Sequence, residues 1–310
     1  MVGGGVVLEP FGLEKGRVPD SLKILTWDGG GPPAEDAIGS VEFYVMPYTF
    51  QPLTGEVISR MPRLRVVQTL TAGVEHVTPF LPAGITLCNA RGVHDASTAE
   101  LAVTLILASL RGVADFVRAQ DREEWAHGER ASLADKTVLI VGYGSIGAAV
   151  EHRLRPFECD VLRVARRARD GVAGFENVLP LVAEADVVVL TVPLTDQTRG
   201  LVDAGFLGRM RDGALLVNVS RGPVVDTDAL LAELASGRLT AALDVTDPEP
   251  PPAGHPLWSA PGLLISPHVG GNTSAFRPRA IRLVIDQLQR YANNEPLANV
   301  VVEGTFTRNG

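Results

Sequence analysis

Short runs of aliphatic and β-branched residues alternate with helix-like segments along most of this 310-residue chain. The first series of runs comprises "LKILTW" (22–27), "VEFYVM" (41–46), "LRVVQTL" (64–70) and "ITLC" (85–88). The second series comprises "KTVLIVG" (136–142), "DVLRVA" (160–165), "DVVVLTV" (186–192), "GALLVNVS" (213–220), "TAALDV" (240–245) and "GLLIS" (262–266). Continuous apolar runs of this length are typical of parallel strands buried on both faces. Their alternation with helices predicts doubly wound α/β sheets.

Two segments are predicted to be long helices. "STAELAVTLILASLRGVADFVRAQ" begins at Ser97 with a Ser/Thr cap and carries Glu100 in its first turn. Its apolar residues occur nearly all round, which predicts a buried helix. The second segment, from Ser274, is the last helix of the chain, and a proline-rich stretch (246–258) before it indicates a rigid loop. A chain this long exceeds most single cores, so we expect two α/β domains, with the last helix packing on the first.

The bulk composition leaves a small-molecule substrate as the favoured class of partner. The net charge of −8 argues against a nucleic-acid binder, and no apolar stretch approaches the ~20 residues that span a bilayer. The opening "MVGGGVVLEP" lacks the features of a secretory signal, so a cytoplasmic location is expected. Cys88 and Cys159 stand far apart without a second cysteine nearby, which predicts buried thiols and neither a disulfide nor a metal site.

The stretch "VGYGSIG" places Gly142, Gly144 and Gly147 in a G-x-G-x-x-G pattern directly after a predicted strand and at the start of a predicted helix. In that position, the glycines allow a tight turn and close approach of the backbone, and the helix N-terminus binds a pyrophosphate. The pattern alone is weak, because glycine turns are common. Its strand-turn-helix context predicts a dinucleotide-binding site.

The next strand bears on which dinucleotide is bound. An NAD-binding site expects an Asp or Glu about 20 residues after the glycines, to hold the ribose hydroxyls. Here Ala165 stands at that position, and Arg166, Arg167 and Arg169 follow it. Guanidinium groups suit the 2′-phosphate of NADP(H), which a carboxylate would repel. The sequence therefore favours NADP(H), with NAD(H) possible; the alternative is that the arginines are ordinary solvated charges.

Several motifs, in order along the chain, resemble those of the D-isomer-specific 2-hydroxyacid dehydrogenase family. They are "GYGSIG" (142–147), "VVVLTVPLTDQTRGLV" (187–202), "LLVNVSRGPVVDTDAL" (215–230), "ALDVTDPEP" (242–250) and "HPLWSAPGLLISPHVGGNT" (255–273). The resemblance covers nearly the whole chain. It implies a Rossmann dinucleotide-binding domain (97–276) inserted into a discontinuous, flavodoxin-like substrate domain (1–96 and 277–310). It also implies a homodimer formed through the region of the helix that starts at Ser97.

The resemblance implies a catalytic trio, which falls here on Arg221, Glu249 and His268. Arg221 follows a strand, and its guanidinium suits a 2-oxo acid, whose carboxylate it can grip and whose carbonyl it can polarise. His268 follows the last strand, where an imidazole can exchange a proton with the carbonyl oxygen. Glu249 is placed to hydrogen-bond the other ring nitrogen and stabilise imidazolium. Taken singly, each residue has a bland alternative: a surface ion pair, a solvated loop acid or a strand-end cap.

Other positions carry over from the resemblance. The implied cofactor contacts are the glycine turn with Ser145 and Ile146 at the pyrophosphate, Pro193 and Thr198 at the adenosine side, and Val219, Arg221, Asp244 and Gly270 towards the nicotinamide. Asp244 has an alternative as a helix cap. The backbone N–H groups of Gly73 and Val74 would receive the substrate carboxylate, unless "TLTAGVEHV" (69–77) is a routine turn. Tyr48 and Phe50 could form an apolar rim of the substrate pocket or belong to the core. The remaining histidines match no catalytic position, and we expect surface or structural roles for His76, His94, His127, His152 and His255.

These features predict an NADPH-dependent reductase of a small 2-oxo acid, with glyoxylate or hydroxypyruvate as the family's commonest such substrates. Among relatives of the same build, formate-oxidising enzymes carry Gln where this chain has Glu249, which counts against formate. Phosphite oxidation keeps the Glu and stays an alternative. A second alternative, from another class, is a dinucleotide-sensing corepressor that binds the nucleotide without turnover.

Overall fold

The computed structural model describes residues 5–14, 16–31, 35–49 and 54–304. The chain divides into two compact units, which we call unit 1 (Met1–His94 with Ser274–Gly310) and unit 2 (Asp95–Thr273). The domain boundaries expected from the sequence, at 96/97 and 276/277, stay a prediction. The chain passes from unit 1 to unit 2 after His94, two residues before the first expected boundary. It returns to unit 1 after Thr273, three residues before the second.

The described residues of unit 1 form a six-stranded sheet in the order β13-β5-β4-β3-β1-β2. Its strands are β1 Val6–Glu9, β2 Lys23–Thr26, β3 Val41–Val45, β4 Val66–Gln68, β5 Thr86–Cys88 and β13 Val300–Val302. All pairs are parallel except that of β13 with β5. The order of the first five strands, 2-1-3-4-5, is that of flavodoxin-like sheets, as predicted.

Helices cover both faces of the unit 1 sheet, because successive strand residues point to opposite faces and both faces are apolar. The helices of this unit are α1 Glu35–Ile38, α2 Thr54–Ser59 and α9 Phe276–Asn293. On one face, Phe43 and Val45 pack with Val284 of α9. On the other, Tyr44 packs in one cluster with Ile58 of α2.

Unit 2 has a seven-stranded, fully parallel sheet in the order β12-β11-β10-β9-β6-β7-β8. Its strands are β6 Thr137–Val141, β7 Asp160–Ala165, β8 Ala173–Gly174, β9 Val187–Leu190, β10 Leu215–Asn218, β11 Thr240–Leu243 and β12 Leu263–Ile265. Its helices are α3 Asp95–Arg111, α4 Val113–Asp121, α5 Ser145–Leu154, α6 Val178–Val182, α7 Ala204–Leu207 and α8 Thr227–Ala235. The strand order is that of a Rossmann sheet with a seventh strand added, as predicted.

Alternating residues of the central strands of unit 2 enter two different cores, so this sheet is also doubly wound. Leu139 and Val141 pack in one cluster with α6, α7 and α8. Val138 and Ile140 pack in the other with α3 and α5. Both clusters are almost wholly aliphatic, which explains the continuous apolar runs in the sequence.

The long helix predicted from Ser97 differs from the one observed. It begins at Asp95, two residues earlier, and it ends at Arg111. Gly112 adopts a left-handed conformation (φ 64°) and separates α3 from α4. The helix is not apolar all round either, since Glu100 and Thr104 are exposed beside a buried face of small and aliphatic residues. An isolated glycine inside a helical pattern was the signal for this break.

Three short strands, β1, β8 and β13, were not predicted, and most of the predicted strands are shorter than the apolar runs that contain them. Cys88 is buried as predicted, whereas Cys159 is half-buried. In the part of the chain that the structure describes, none of the helices combines the length and the apolar character needed to span a membrane.

Candidate active site

The residues that the sequence singled out in unit 2 follow the carboxyl ends of its strands. Because the strands are parallel, these ends meet at one edge of the sheet, the edge at which α/β sheets bind ligands. The edge receives the glycine turn after β6, the Pro193–Thr198 loop after β9, Arg221 after β10, Asp244 after β11 and His268 after β12.

The glycine turn is shaped by close backbone packing. Gly142 has φ 104°, and a Cβ there would lie 2.7 Å from backbone atoms of Thr191 and Val192. A Cβ at Gly147 would lie 2.9 Å from the Gly142 carbonyl oxygen. At Gly144, by contrast, the nearest atom to a Cβ would be 4.0 Å away, so the surface above this residue is open. Two glycines therefore pack the turn, and the third leaves room for a ligand.

The N-terminus of α5 has donors to offer such a ligand. Gly144 is the N-cap, and no side chain caps the helix there. The Ser145 hydroxyl is directed to Asp95 at 3.2 Å, and Ile146 is half-buried against the core. Uncapped N–H groups and the helix dipole attract an anion. The open cradle above Gly144 and the uncapped α5 N-terminus together fit the pyrophosphate of a dinucleotide.

Basic side chains follow the end of β7, next to the glycine turn. The buried Ala165 closes the strand, and Arg166 and Arg167 are exposed. Arg169 donates a hydrogen bond to the Tyr143 carbonyl, and its guanidinium lies 5.6 Å from the centre of the Tyr143 ring. The arginine cluster therefore reaches the glycine turn itself, which suits an anionic group attached to the adenosine ribose.

Beneath the turn lies a polar cluster of Tyr143, Glu151 and Arg163 that the sequence analysis missed. Glu151 on α5 is buried and accepts hydrogen bonds from the Arg163 guanidinium (Nε, 2.8 Å) and from the Tyr143 hydroxyl. The hydrogen bond from Arg163 lowers the pKa of Glu151, burial opposes this, and the hydrogen bond from Tyr143 lowers the pKa further. The resulting pKa of Glu151 is about 2. The cluster fixes the Tyr143 ring. A signal existed: Glu151 lies four residues after Gly147, on the buried face of α5.

The turn that presents Arg221 is held by Asn218, the last residue of β10. The Asn218 side chain accepts from the Ser220 N–H (3.0 Å) and hydroxyl (2.6 Å), and it donates to the Arg221 carbonyl (3.0 Å). A Cβ at Gly222 would lie 1.8 Å from the Thr246 carbonyl oxygen. The Arg221 turn therefore packs directly on the start of the loop that carries Glu249.

Glu249 and His268 form a hydrogen-bonded pair, with Glu249 Oε1 at 2.5 Å from His268 Nδ1. Burial opposes ionisation of Glu249. The hydrogen bond and charge of His268, the backbone hydrogen bond from Thr246 and the charge of Arg221 together lower the pKa of Glu249 below its ordinary value. The carboxylate is therefore ionised near neutral pH. The arrangement unites a carboxylate, an imidazole and a guanidinium, which is what proton transfer to a substrate anion requires.

Asp244 holds the turn around His268. Its buried carboxylate accepts from the Ser266 hydroxyl (2.6 Å) and from the N–H groups of Val269 and Gly270 (both 2.9 Å). The His268 N–H donates to the Asp244 carbonyl (2.8 Å), and His268 itself adopts a left-handed conformation (φ 53°). Asp244 thus caps this turn rather than a helix, and it stabilises an unusual backbone conformation at the imidazole.

The remaining predicted positions of unit 2 lie at the same edge. The Thr198 hydroxyl is engaged inside its own loop: it donates to the Pro193 carbonyl (2.6 Å) and accepts from the Thr195 N–H (2.8 Å). Pro193 is exposed, and Val219 is buried just after β10. The structure therefore shows Thr198 shaping the loop.

Comparison with known proteins decides the family. A family model described as "D-isomer specific 2-hydroxyacid dehydrogenase, NAD binding domain" matches residues 103–270, more than half of the chain. The chain belongs to the D-isomer-specific 2-hydroxyacid dehydrogenase family. It is accordingly an NAD(P)-dependent oxidoreductase that acts on 2-hydroxy or 2-oxo acids.

Individual members of the family are similar to the chain over most of its length. A mouse protein described as "Glyoxylate reductase/hydroxypyruvate reductase" is 37% identical over 69% of this chain and 70% of the mouse protein. A dehydrogenase of this family from Xanthobacter autotrophicus, solved with NADPH, is 28% identical with a TM-score of 0.80, covering 96% of this chain and 98% of the other. An NADPH-dependent glyoxylate/hydroxypyruvate reductase from Sinorhizobium meliloti, solved with NADP and malonate, is 25% identical with a TM-score of 0.78, covering 99% of both chains.

The predicted substrate residues outside unit 2 belong to unit 1. Gly73 and Val74 follow β4 and are half-exposed. Tyr48 is half-buried and packs against the core of unit 1, in contact with the ring of Phe276 (centroids 4.4 Å apart). Phe50 lies outside the described residues. Packing against the core, one of the two alternatives for Tyr48, is therefore present in the structure.

Proposed function

We propose that this dehydrogenase reduces a small 2-oxo acid, glyoxylate or hydroxypyruvate, with NADPH as the hydride donor. The observation that carries the proposal is the Glu249–His268 pair, with an ionised carboxylate at 2.5 Å from Nδ1 and the charge of Arg221 close enough to lower the pKa of Glu249. The mouse and Sinorhizobium relatives, both described as reductases of these two acids, support the choice of substrate.

Each residue of the trio has a distinct role in the proposed reaction. When NADPH is bound, it supplies the hydride that is added to the carbonyl carbon. Arg221 holds the substrate carboxylate and polarises the carbonyl. His268, engaged by Glu249 at Nδ1, donates the proton on Nε2 to the carbonyl oxygen, which completes the 2-hydroxy acid. Glu249 stabilises the imidazolium before the transfer.

The preference for NADPH over NADH rests on the end of β7. Ala165 has no carboxylate, so it can neither hold the ribose hydroxyls nor repel a 2′-phosphate. Arg166 and Arg167 are exposed beside the glycine turn. Guanidinium groups in this place favour the 2′-phosphate, while NADH remains a weaker cofactor. For the remaining cofactor contacts, from the glycine turn to Gly270, we propose the roles that the family resemblance implies.

We also propose that the protein is a cytoplasmic homodimer. Apolar side chains on and after α4 are exposed: Phe116, Val117 and Trp125, the last with 93% of its surface accessible. Contiguous exposed apolar groups of this kind mark an interaction surface. A second copy of the chain is the proposed occupant, as the family resemblance implies.

The test is NADPH oxidation by the purified protein with a panel of 2-oxo acids, repeated with NADH and, in the reverse sense, with phosphite and NADP⁺. The proposal expects turnover with glyoxylate or hydroxypyruvate, loss of that turnover in His268→Asn, and little reaction with phosphite. Nucleotide binding without turnover on any acid would instead support a sensor. Phosphite oxidation faster than oxo-acid reduction would assign the other alternative.

A further inference from the structure

The loop after β4, Thr69–Val74, has every one of its backbone carbonyl groups engaged by donors inside unit 1. Such complete use of one kind of backbone group in an irregular loop calls for a physical cause. The donors, in order of the carbonyls from 69 to 74, are Gln68 Nε2 (2.8 Å), His94 Nε2 (2.8 Å), Ala90 N (2.9 Å), Asn89 Nδ2 (2.7 Å), Thr71 Oγ1 (2.7 Å) and Val77 N (2.9 Å).

The N–H groups of the same loop show the opposite behaviour. Within the described part of unit 1, no hydrogen bond uses the N–H of Thr71, Ala72, Gly73 or Val74 as donor. These residues are half-exposed. A loop whose carbonyls all bond to the protein, while four successive N–H groups do not, presents a concentration of positive dipole ends to its surroundings. Such a surface selects an anion.

Buried amide side chains establish part of this polarity. Gln287 of α9 both accepts from the Ala298 N–H (2.8 Å) and donates to the Ala298 carbonyl (2.9 Å), which fixes which end of its amide is the donor. The Gln287 donor also bonds Gln68 Oε1 (2.7 Å). Gln68 must then point its own Nε2 at the carbonyls of Thr69 and Asn89.

His94 and Asn89 hold two of the loop carbonyls, those of Leu70 and Ala72. His94 is 7% exposed, and since its Nε2 meets the Leu70 carbonyl, the ring proton must lie on that nitrogen. Its Nδ1 is buried without a partner. The ring is stacked on Phe276 (centroids 5.2 Å apart) and Tyr48 (5.7 Å), which fixes its plane. The His94 ring is therefore held in one orientation, in which Nε2 donates to the Leu70 carbonyl.

We infer that His94 and Asn89 are positioning residues for the carboxylate of the substrate. They hold the carbonyls of Leu70 and Ala72, and the peptide groups of these carbonyls carry the N–H groups of Thr71 and Gly73. The loop N–H groups, including those of Gly73 and Val74, are thereby left to bind the anion. This inference rests on the proposed function, in which the ligand is a small 2-oxo acid. It gives His94 a role in substrate affinity, and none in the chemical step.

The test compares His94→Leu, which removes the donor, with His94→Gln, which keeps an N–H donor of similar reach. The measurements are KM and kcat for the best oxo acid of the panel, the affinity of the enzyme–NADPH complex for the unreactive analogue oxamate by fluorescence titration, and the Kd of NADPH alone. Losing one neutral hydrogen bond typically corresponds to a ~10-fold change in an equilibrium constant. We expect His94→Leu to raise KM and the oxamate Kd ~10-fold, with kcat and the NADPH Kd little changed. His94→Gln should restore most of the affinity.

Asn89 provides a second, half-exposed position in case His94→Leu does not fold. Asn89→Ala removes the donor to the Ala72 carbonyl, and Asn89→Asp places a repelling charge there. Both should raise KM and the oxamate Kd, the Asp variant more strongly. The exposed His152→Leu is the matched control and should leave all four quantities unchanged.

The possible results separate this inference from the proposed function. If the wild type reduces an oxo acid and the folded His94 and Asn89 variants keep its KM and oxamate Kd, the inference is wrong and the proposed function stands. Equal losses in NADPH affinity and kcat would also overturn it, since they would show a general structural role. If the wild type reduces none of the acids, the proposed function fails. The oxamate titration then still tests the loop, and unchanged affinity in the variants overturns the inference.

Discussion

Replacing Glu249 by Gln should shift the pH dependence of the reaction. The carboxylate lies 2.5 Å from His268 Nδ1, and a hydrogen bond to a charged group typically contributes ~1.5–3 kcal/mol. The two side chains are 38% and 35% exposed, so water screens their attraction and the lower end of that range applies. About 1.4 kcal/mol corresponds to one pH unit. Gln keeps the shape and a hydrogen-bond acceptor, so the variant removes mainly the charge.

The direction of the shift follows from the protonation state that each reaction needs. Because its pKa is lowered, Glu249 is ionised throughout the neutral range and favours the protonated imidazole. Reduction uses that proton, and its rate falls when the pH rises far enough to remove it. Without the carboxylate, the negative charge that stabilises the donated proton is lost. We therefore expect the alkaline limb of reduction to move down by about one pH unit, and the acid limb of oxidation to move down with it.

The assay is kcat/KM for the oxo acid from acid to alkaline pH in wild type and Glu249→Gln, with the reverse reaction measured over the same range. His268→Asn is the reference for complete loss of the acid, and it should lower turnover by ~10²–10⁴ with NADPH still bound. An alkaline limb that coincides with that of the wild type would refute the reasoning. An active His268→Asn protein would return His268 to a structural role.

Four further predictions concern the other parts of the structure. Arg221→Lys keeps the charge but loses the planar fork, so KM for the oxo acid should rise at least ~10-fold with little change in the NADPH Kd; wild-type kinetics would assign Arg221 to structure. Replacing Arg166 and Arg167 together by Gln should weaken NADPH binding by one to two orders of magnitude, measured by fluorescence titration, and leave NADH binding as the internal control. Equal losses for both nucleotides would contradict a 2′-phosphate site. Since folding lowers the pKa of Glu151 from 4.5 to about 2, the stability it contributes is complete above pH 4.5 and is lost as the pH falls towards 2. Urea unfolding should show Glu151→Gln about 3 kcal/mol less stable at neutral pH, with the gap closing in acid; a constant gap would refute this. Sedimentation should show a dimer that Trp125→Glu dissociates, and a wild-type monomer at micromolar concentration would contradict the proposed interface.

The sheet of unit 2 could be predicted well because its strands are buried on both faces. Most of its strands are then continuous apolar runs, as in "VVVL" at 187–190, and the residues between runs must form the crossovers. Two of the short strands were not predicted for different reasons. β8 has only two residues, and β13 pairs with a strand more than 200 residues away in sequence. Such a pairing is decided by the tertiary fold and leaves no local pattern.

The same distinction separates the site residues that were found from those that were missed. Arg221 and His268 each follow a strand that the sequence reveals, so their shared edge follows from topology. The pairing of Gln68 with Gln287 joins residues 219 positions apart, and only the folded chain brings them together. The tautomer of His94 is likewise set by the carbonyl of Leu70, 24 residues away.

The polar cluster of Tyr143, Glu151 and Arg163 has a consequence for how this protein can evolve. Tyr143 belongs to the glycine turn and Arg163 to β7, whose end is followed by Arg166 and Arg167. Glu151 joins the two through hydrogen bonds to both. Loss of Glu151 alone would leave a guanidinium and a phenol beneath the turn without their shared acceptor. In lineages that descend from this chain, we expect the three residues to be replaced together and rarely one at a time. The glycine turn and the neighbouring strand would then co-vary. A change of cofactor preference would require substitutions in both of them together.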